Sequence, residues 1–113
     1  AFMGSSLQYF EDWRATLAAA ARCARRFVLL EDVPAIRGAT FAAAQAYYGG
    51  TIPAWFIRHD DLMAHARSCG LRCVLRDRFR ARILGQWEGF PMDNYPPEQR
   101  VGLASTFLFR VGA

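Results

Sequence analysis

The chain has 113 residues, of which 53% are hydrophobic and 21% are charged. This is the size of one domain or part of one, and the composition is too apolar for an intrinsically disordered protein. The formal net charge is +4, and all fourteen basic residues are arginines. Because no run of about twenty apolar residues occurs, we expect no membrane span. Three cysteines expected to be free thiols indicate a reducing, cytoplasmic location.

The first ten residues predict a buried strand that opens into a loop and then a helix. Residues 1–3 are apolar, residues 4–6 are small and polar at Gly4, Ser5 and Ser6, and a helical pattern runs over residues 11–26. Ligands of open α/β sheets bind outside the carboxyl ends of the strands, where the loop over residues 5–9 would lie. The alternative is a plain connection in which the serines only form a turn.

A second predicted strand, residues 27–30, follows the helix after a minimal turn. Strand, helix and strand then form a βαβ unit, whose crossover should be right-handed. The strand runs into Glu31 and Asp32 before Pro34, and we expect both carboxylates beside the first loop. They could bind a cation or act as a general base, or they could be solvated residues that only cap a loop.

The least regular part of the chain is the insert over residues 35–53. A short helix over residues 41–48, ended by the glycine pair that follows it, is the predicted element here. Gln45, Tyr47 and Tyr48 are suited to hold a polar substrate that contains a ring. A covering loop whose aromatic side chains are simply buried is the alternative.

The rest of the chain predicts one helix and two strands. The helix covers residues 60–69, with His65 on its surface, and Gly70 would end it. Strands are predicted over residues 71–79 and 106–111, with a long irregular connection between them. Since no helix separates these two strands, we expect an antiparallel pair.

The cysteines and the densest arginine stretch have plain structural interpretations. Cys23, Cys69 and Cys73 show no metal-ligand spacing, so we predict free, mostly buried thiols and no metal site. In a strand, four arginines would share one face, which suits either an anion-binding surface or the charged face of an edge strand. We favour the edge strand and expect no nucleic-acid partner; the four are Arg76, Arg78, Arg80 and Arg82.

The predicted order of elements resembles the second half of a class I S-adenosylmethionine-dependent methyltransferase, from its fourth strand to its antiparallel seventh strand. Short motifs sharpen the resemblance to one bacterial family assigned as methyltransferases, often associated with surface-polysaccharide gene clusters. The motifs are Ser5-Ser6-Leu7-Gln8-Tyr9 with Trp13 and Leu17 behind it, Pro34 after a strand, Gln45 before Tyr48, and Pro53-Ala54-Trp55-Phe56 before a helix that ends at Gly70. The family tends to carry Arg where Asp32 stands and Tyr where Ile52 precedes Pro53.

The resemblance implies an α/β fold in which residues 1–113 form a single partial domain, the carboxyl-terminal half of a Rossmann-like methyltransferase sheet. The sequence has no Gly-rich strand-to-helix turn, so the half that binds the cofactor is expected to be missing and this chain alone to be inactive. The complete protein would transfer a methyl group from S-adenosylmethionine to a small molecule or a glycan. A non-catalytic interaction module that uses the edge of the first strand is the alternative.

The resemblance also assigns roles to the residues singled out above. Ser5, Ser6, Leu7, Gln8 and Tyr9 would line the cofactor cleft. Asp32 or Glu31 would act as the base or orient the nucleophile. The side chains that shape the substrate pocket would be Gln45, Tyr47, Tyr48 and Trp55.

Overall fold

The structure is a computed structural model that describes residues 1–78, 82–83, 86–87, 96–97 and 104–112. It contains two α-helices, α1 (Trp13–Cys23) and α2 (His59–Ser68), and a short 3₁₀ turn over Leu7–Tyr9. The strands in chain order are β1 (Phe2–Gly4), β2 (Phe27–Val33), β3 (Ala35–Ile36), β4 (Phe41–Tyr47), β5 (Gly50–Arg58), β6 (Leu71–Arg78), β7 (Arg82–Ile83), β8 (Gln86–Trp87) and β9 (Ser105–Val111).

The main sheet has four strands in the order β1-β2-β9-β6. β1 pairs with β2 in parallel, and β9 runs antiparallel to both of its neighbours, β2 and β6. The fold is therefore mixed α/β, and the predicted antiparallel pairing of the last two strands is confirmed. β6 lies at one end of the described sheet and is exposed from Arg72 onward, which confirms the edge-strand interpretation for Arg76 and Arg78, whereas Arg82 belongs to the separate strand β7. Arg80 and the side chain of Arg82 lie outside the described residues.

Helix α1 begins where its sequence supplies a cap. The Asp12 carboxylate accepts a hydrogen bond of 3.0 Å from the Ala15 backbone N–H, which would otherwise have no partner in the first turn. Trp13, Leu17 and Ala21 recur at helical spacing and are buried against the sheet. The helix is shorter than the predicted span over residues 11–26, because Asp12 caps it at one end and the chain is extended by Ala24 at the other.

Helix α2 packs beside α1, and His65 joins the two. Leu62 and Ala66 are buried, as the spacing predicts. His65 was predicted to lie on the surface, but its Nε2 lies 2.7 Å from the Arg14 carbonyl oxygen and its ring meets the Trp13 ring edge-on. The packing of α2 against α1 places His65 next to Arg14 and Trp13. The residue spacing within α2 alone does not predict this contact.

The thiols are free, as predicted, but mostly not buried. Cys69 is half-buried at the end of α2, whereas Cys23 and Cys73 are exposed. Cys23 closes α1 at its solvent side, and Cys73 lies on the end strand β6. The general tendency of cysteine to be buried is overridden here because Cys23 is the last residue of a helix and Cys73 lies on an end strand.

The predicted helix over residues 41–48 is wrong, because this segment is strand β4 of a hairpin. Tyr47 pairs with Gly50 across a two-residue turn in which Tyr48 has φ 46° and Gly49 has φ 81°. Two positive φ values in succession define a turn that matches the twist of a hairpin, and glycine favours it. The Phe41 and Phe56 rings stack at 4.9 Å between centroids. Cross-strand packing therefore outweighs the helix propensity of the alanines.

The hairpin belongs to a second, smaller sheet in the order β3-β5-β4. β3 follows β2 directly and pairs in parallel with the end of β5. The segment after β2 is therefore hydrogen-bonded to the hairpin. Pro53 lies within β5 opposite Ala44, beyond the two residues that pair with β3. A proline without an N–H is tolerated there because β5 needs to pair on one side only. β7 and β8 form a separate two-stranded pair.

The main core lies between the four-stranded sheet and the two helices. Val28 and Leu30 of β2 and Phe107 and Phe109 of β9 are fully buried on this face. The opposite face carries one apolar residue from each strand along a single line of the register. We call this line the outer row: Phe2, Leu29, Leu108 and Leu75. Among the described residues, no helix has the length and apolar character needed to cross a membrane.

Replacement of Asp12 by alanine should destabilise the fold by about 1 kcal/mol, because the Ala15 N–H loses its acceptor. The free energy of unfolding in urea, measured by circular dichroism, checks this. Glu11→Ala is the matched control, since Glu11 is an exposed acid one residue before the cap. Equal losses in both variants would contradict the capping role.

Candidate functional site at the ends of β1 and β2

The carboxyl ends of β1 and β2 lie side by side, as the βαβ pattern predicts. Gly4 pairs with Glu31, and the Ser5 backbone N–H donates a 3.1 Å hydrogen bond to the Glu31 carbonyl oxygen. The next residue of β2, Asp32, therefore stands against the loop that leaves β1. The structure brings the predicted acidic end and the predicted polar loop together at one edge of the sheet.

Both residues at this junction have left-handed backbone conformations. Ser5 has φ 50° and Asp32 has φ 59°. Such conformations cost non-glycine residues roughly 1–3 kcal/mol each, and they persist only where surrounding contacts impose them. The conformation of Asp32 is imposed by the pairing of β2 with β9. Leu30 pairs with Phe107, but Val33 pairs with Ser105. β2 thus carries one residue more than β9 at this point, and the resulting bulge redirects Asp32.

The Asp32 carboxyl group is half-buried, and this burial raises its pKa above the ordinary value of 3.8. A hydrogen-bonding interaction from the Ser5 side chain acts in the opposite direction and lowers the pKa. The net effect is a carboxyl group that binds its proton more tightly than in water. A carboxylate with a raised pKa is also a stronger base than a solvated aspartate.

The 3₁₀ turn places the other residues of the polar loop. Leu7 joins the main core, and Gln8 is buried beside it with only 6% of its surface exposed. Tyr9 points outward, and its hydroxyl donates a 3.1 Å hydrogen bond to the Gln45 side-chain oxygen. Ser6 precedes the turn, and its side chain makes no capping hydrogen bond. Tyr9 therefore links the first loop to the hairpin of the insert.

The hairpin presents the predicted substrate-binding residues on different surfaces. Gln45 pairs with Ile52, and Trp55 pairs with Ala42, so the alternation of a strand puts Gln45 and Trp55 on opposite faces. Trp55 packs against the main core. Tyr48 is exposed in the turn, while Tyr47 ends β4 with its side chain outside the described set. The register of β4 against β5 determines which of these side chains share a face, and the sequence did not specify that register.

Two features of the site escaped the sequence interpretation. The first is the bulge at Asp32, for which the sequence offers only the weak signal of an acidic pair before Pro34. The second is a pair of buried polar atoms without partners, Gln8 Oε1 and Trp55 Nε1. Across the described ranges, no group of three or more histidine, cysteine, aspartate or glutamate residues could hold a metal ion.

Replacement of Asp32 by asparagine should stabilise the protein at neutral pH. The raised pKa means that the folded state holds this proton more tightly than the unfolded state does. Stability is therefore lost as pH rises from the unfolded-state value of 3.8 through the folded-state pKa. Asparagine has no such proton and tolerates the left-handed conformation, so the advantage of the variant should shrink below the unfolded-state pKa.

Urea unfolding across this pH range measures the effect, and Glu31→Gln serves as the control from the neighbouring acidic position. A wild-type protein that gains stability relative to Asp32→Asn as pH rises would show that the carboxyl group is not penalised by burial.

Neither a protein-family model nor a curated protein matches this chain. What the chain does must therefore be inferred from the strand-end residues, their contacts and the order of the strands.

Proposed function

We propose that the chain is the carboxyl-terminal half of a class I S-adenosylmethionine-dependent methyltransferase. The observation that carries this proposal is the strand order β1-β2-β9-β6, in which only β9 is antiparallel. In the fold that the sequence resembles, the antiparallel seventh strand likewise lies between the fifth and the sixth. This order requires β9 to enter between two strands that precede it in the chain.

The chain's own residues would contribute one wall of the site. Methyl transfer depends chiefly on alignment of the nucleophile with the methyl group and the leaving sulfur. Asp32 would accept the proton of the nucleophile, and the raised pKa of this carboxyl group supports that role. Tyr9, held by Gln45, would fix the position of the loop beside the cleft. The substrate would be a small molecule or a glycan, and the reaction would take place in the cytoplasm.

The cofactor fits this chain only in part. The strand-end loop over residues 5–9 supplies polar side chains, Ser5 and Ser6 among them. The sequence has no Gly-rich turn of the GxGxxG kind, whose backbone would approach the cofactor closely. The rest of the cofactor site would have to come from another segment, and the 113 residues alone are proposed to be inactive.

Isothermal titration of the 113-residue chain with S-adenosylmethionine should show no measurable binding, and micromolar affinity would contradict the proposed division of the site.

In the longer gene product, transfer of a labelled methyl group should fall at least tenfold in Tyr9→Ala, because the loop loses its link to Gln45. Phe27→Ala is the control, an aromatic of similar exposure at the other end of β2. An unchanged rate in Tyr9→Ala would show that the loop over residues 5–9 does not contribute to the proposed site.

A second candidate function, association with another protein chain, is favoured by the outer row. Phe2 is 64% exposed and Leu75 is 49% exposed, and the row continues through Leu29 and Leu108 between them. Parallel and mixed sheets of α/β proteins are normally covered on both faces. An apolar line across four strands is therefore a surface that excludes water best when another chain covers it.

The charges beside the outer row suit a second copy of the same chain. Arg72 and Arg110 form the neighbouring pair on one side of the row, and Glu31 and Asp77 lie on the other side. A two-fold axis along the row would place each basic side over the partner's acidic side. Apolar contact and opposite charges would then stabilise the same arrangement.

Sedimentation equilibrium of the isolated chain should show a concentration-dependent dimer. Leu75→Glu should shift it to monomer, because the new carboxylate would be buried in the apolar contact. Val74→Glu introduces the same charge at the adjacent, similarly exposed position that does not belong to the row, and should leave the dimer intact. A monomeric wild-type chain at all concentrations would eliminate this candidate.

A further inference from the structure

One edge of the main sheet carries exposed arginines and, among the described residues, no acidic side chain. We call it the amino edge, the edge at which β2 and β6 begin and β9 ends. Both helices also end there, because each of them precedes a strand that begins at this edge. The exposed arginines of the amino edge are Arg22, Arg25, Arg26, Arg67, Arg72 and Arg110.

The acidic side chains of the described chain lie toward the opposite edge of the sheet. They stand before or within the first turn of a helix or in the second half of a strand, and they are Glu11, Asp12, Glu31, Asp32, Asp60, Asp61 and Asp77. The helix dipoles explain part of this separation, since acids are favourable where a helix starts and arginines such as Arg22 and Arg67 where it ends. They do not explain the arginines of the amino edge that lie outside the helices.

Two of those arginines face each other. Arg72 and Arg110 lie directly opposite in the register of β6 and β9, where like charges repel. Neither lies within ion-pairing distance of a carboxylate in the part of the chain that the structure describes. Arg26 adds a third charge nearby, since its carbonyl oxygen accepts a 2.8 Å hydrogen bond from the Val111 N–H. An anionic partner would relieve this repulsion.

The connections at the amino edge are short. Residues 24–26 link α1 to β2, and residues 69–70 link α2 to β6. Loops of this length cannot project far from the ends of the strands, whereas proteins that read nucleic acids insert a helix or a strand into a groove. A rim made of element ends suits a partner that presents its negative charges in a plane.

We propose that the amino edge is a docking surface for a lipid bilayer that contains anionic phospholipids. The negative surface potential of such a bilayer attracts clustered arginines, and each one near the surface strengthens binding about fivefold. Asp32 lies five residues along β2 from the start of that strand, about 17 Å away. Docking therefore leaves the candidate site open to solvent. The proposal does not depend on methyl transfer.

The experiment is co-sedimentation of the 113-residue chain with vesicles. One set contains equal parts of phosphatidylglycerol and phosphatidylcholine, and the other contains phosphatidylcholine alone. The chain should bind the first set and not the second. Binding should be lost between about 0.1 M and about 1 M salt, because the Debye length falls from about 10 Å to about 3 Å.

A chain that combines Arg25→Gln, Arg26→Gln and Arg67→Gln should bind the anionic vesicles at least tenfold more weakly, because three exposed charges of the amino edge are lost. Only side chains change, so the carbonyl group of Arg26 still accepts its hydrogen bond from Val111. Circular dichroism checks that the variant has the secondary structure of the wild type.

The matched control combines Arg37→Gln, Arg58→Gln and Arg78→Gln, which removes the same net charge from exposed arginines elsewhere. Arg58 precedes α2 and Arg78 ends β6, so both lie about 15–20 Å from the amino edge, beyond the Debye length at 0.1 M salt. Arg37 follows β3, which pairs with the end of β5 at Arg58. The control should weaken binding less than about threefold.

Three results would overturn the proposal. Equal weakening by the two triple variants would show that net charge alone drives binding, and equal binding to both vesicle sets would show that lipid charge does not matter. Tighter binding to a DNA duplex than to anionic vesicles, at equal phosphate concentration, would assign the amino edge to nucleic acid instead.

These outcomes are separate from those that test the proposed dimer. Arg72 and Arg110 belong to the charges beside the outer row, whereas Arg25, Arg26 and Arg67 do not. A chain that dimerises without binding vesicles would keep the dimer and lose the docking surface. A monomeric chain that binds anionic vesicles would have the opposite meaning.

Discussion

The insertion of β9 between β2 and β6 is the constraint on which the rest of the structure depends. β9 is the one described strand of the main sheet that pairs with a partner from each half of the chain. Its Phe107 and Phe109 side chains stack at 6.0 Å between centroids and are fully buried. Burial of a side chain of this size contributes about 1.5–3 kcal/mol. The helices, in turn, pack on the surface that these rings complete.

The same pairing shapes the candidate site. Because β9 advances two residues while β2 advances three, the extra residue of β2 must leave the regular ladder. Asp32 takes the left-handed conformation that results, and its carboxyl group moves into a half-buried position beside Ser5. The pairing of β2 with β9 thus leaves Asp32 half-buried at the edge of the sheet, where burial raises its pKa.

The insert holds the loop after β1 through its hairpin. Its hairpin presents Gln45 to Tyr9 on one surface and Trp55 to the main core on the other. The 3₁₀ turn is held from both directions, by the buried Leu7 and by the Tyr9 hydroxyl. A loop fixed in this way can keep Gln8 buried without a partner, since the cost of the unpaired atom is offset by the contacts of its neighbours.

The sequence by itself determined the elements whose signals are local. The apolar stripe at helical spacing located α1, apolar runs located β1, β2 and β9, and the missing helix before β9 indicated its antiparallel direction. It also placed the acidic end of β2 beside the loop after β1, because parallel strands of a βαβ unit end at the same edge.

Only the tertiary structure decided the features that depend on register. The alanines of residues 42–44 favour a helix locally, but ring stacking across the hairpin and the turn at Gly49 made them a strand. The bulge at Asp32 and the contact of His65 with Arg14 each depend on residues far apart in the chain. Local sequence patterns predict which side chains each helix or strand carries. The pairing of distant strands determines which of these side chains come into contact.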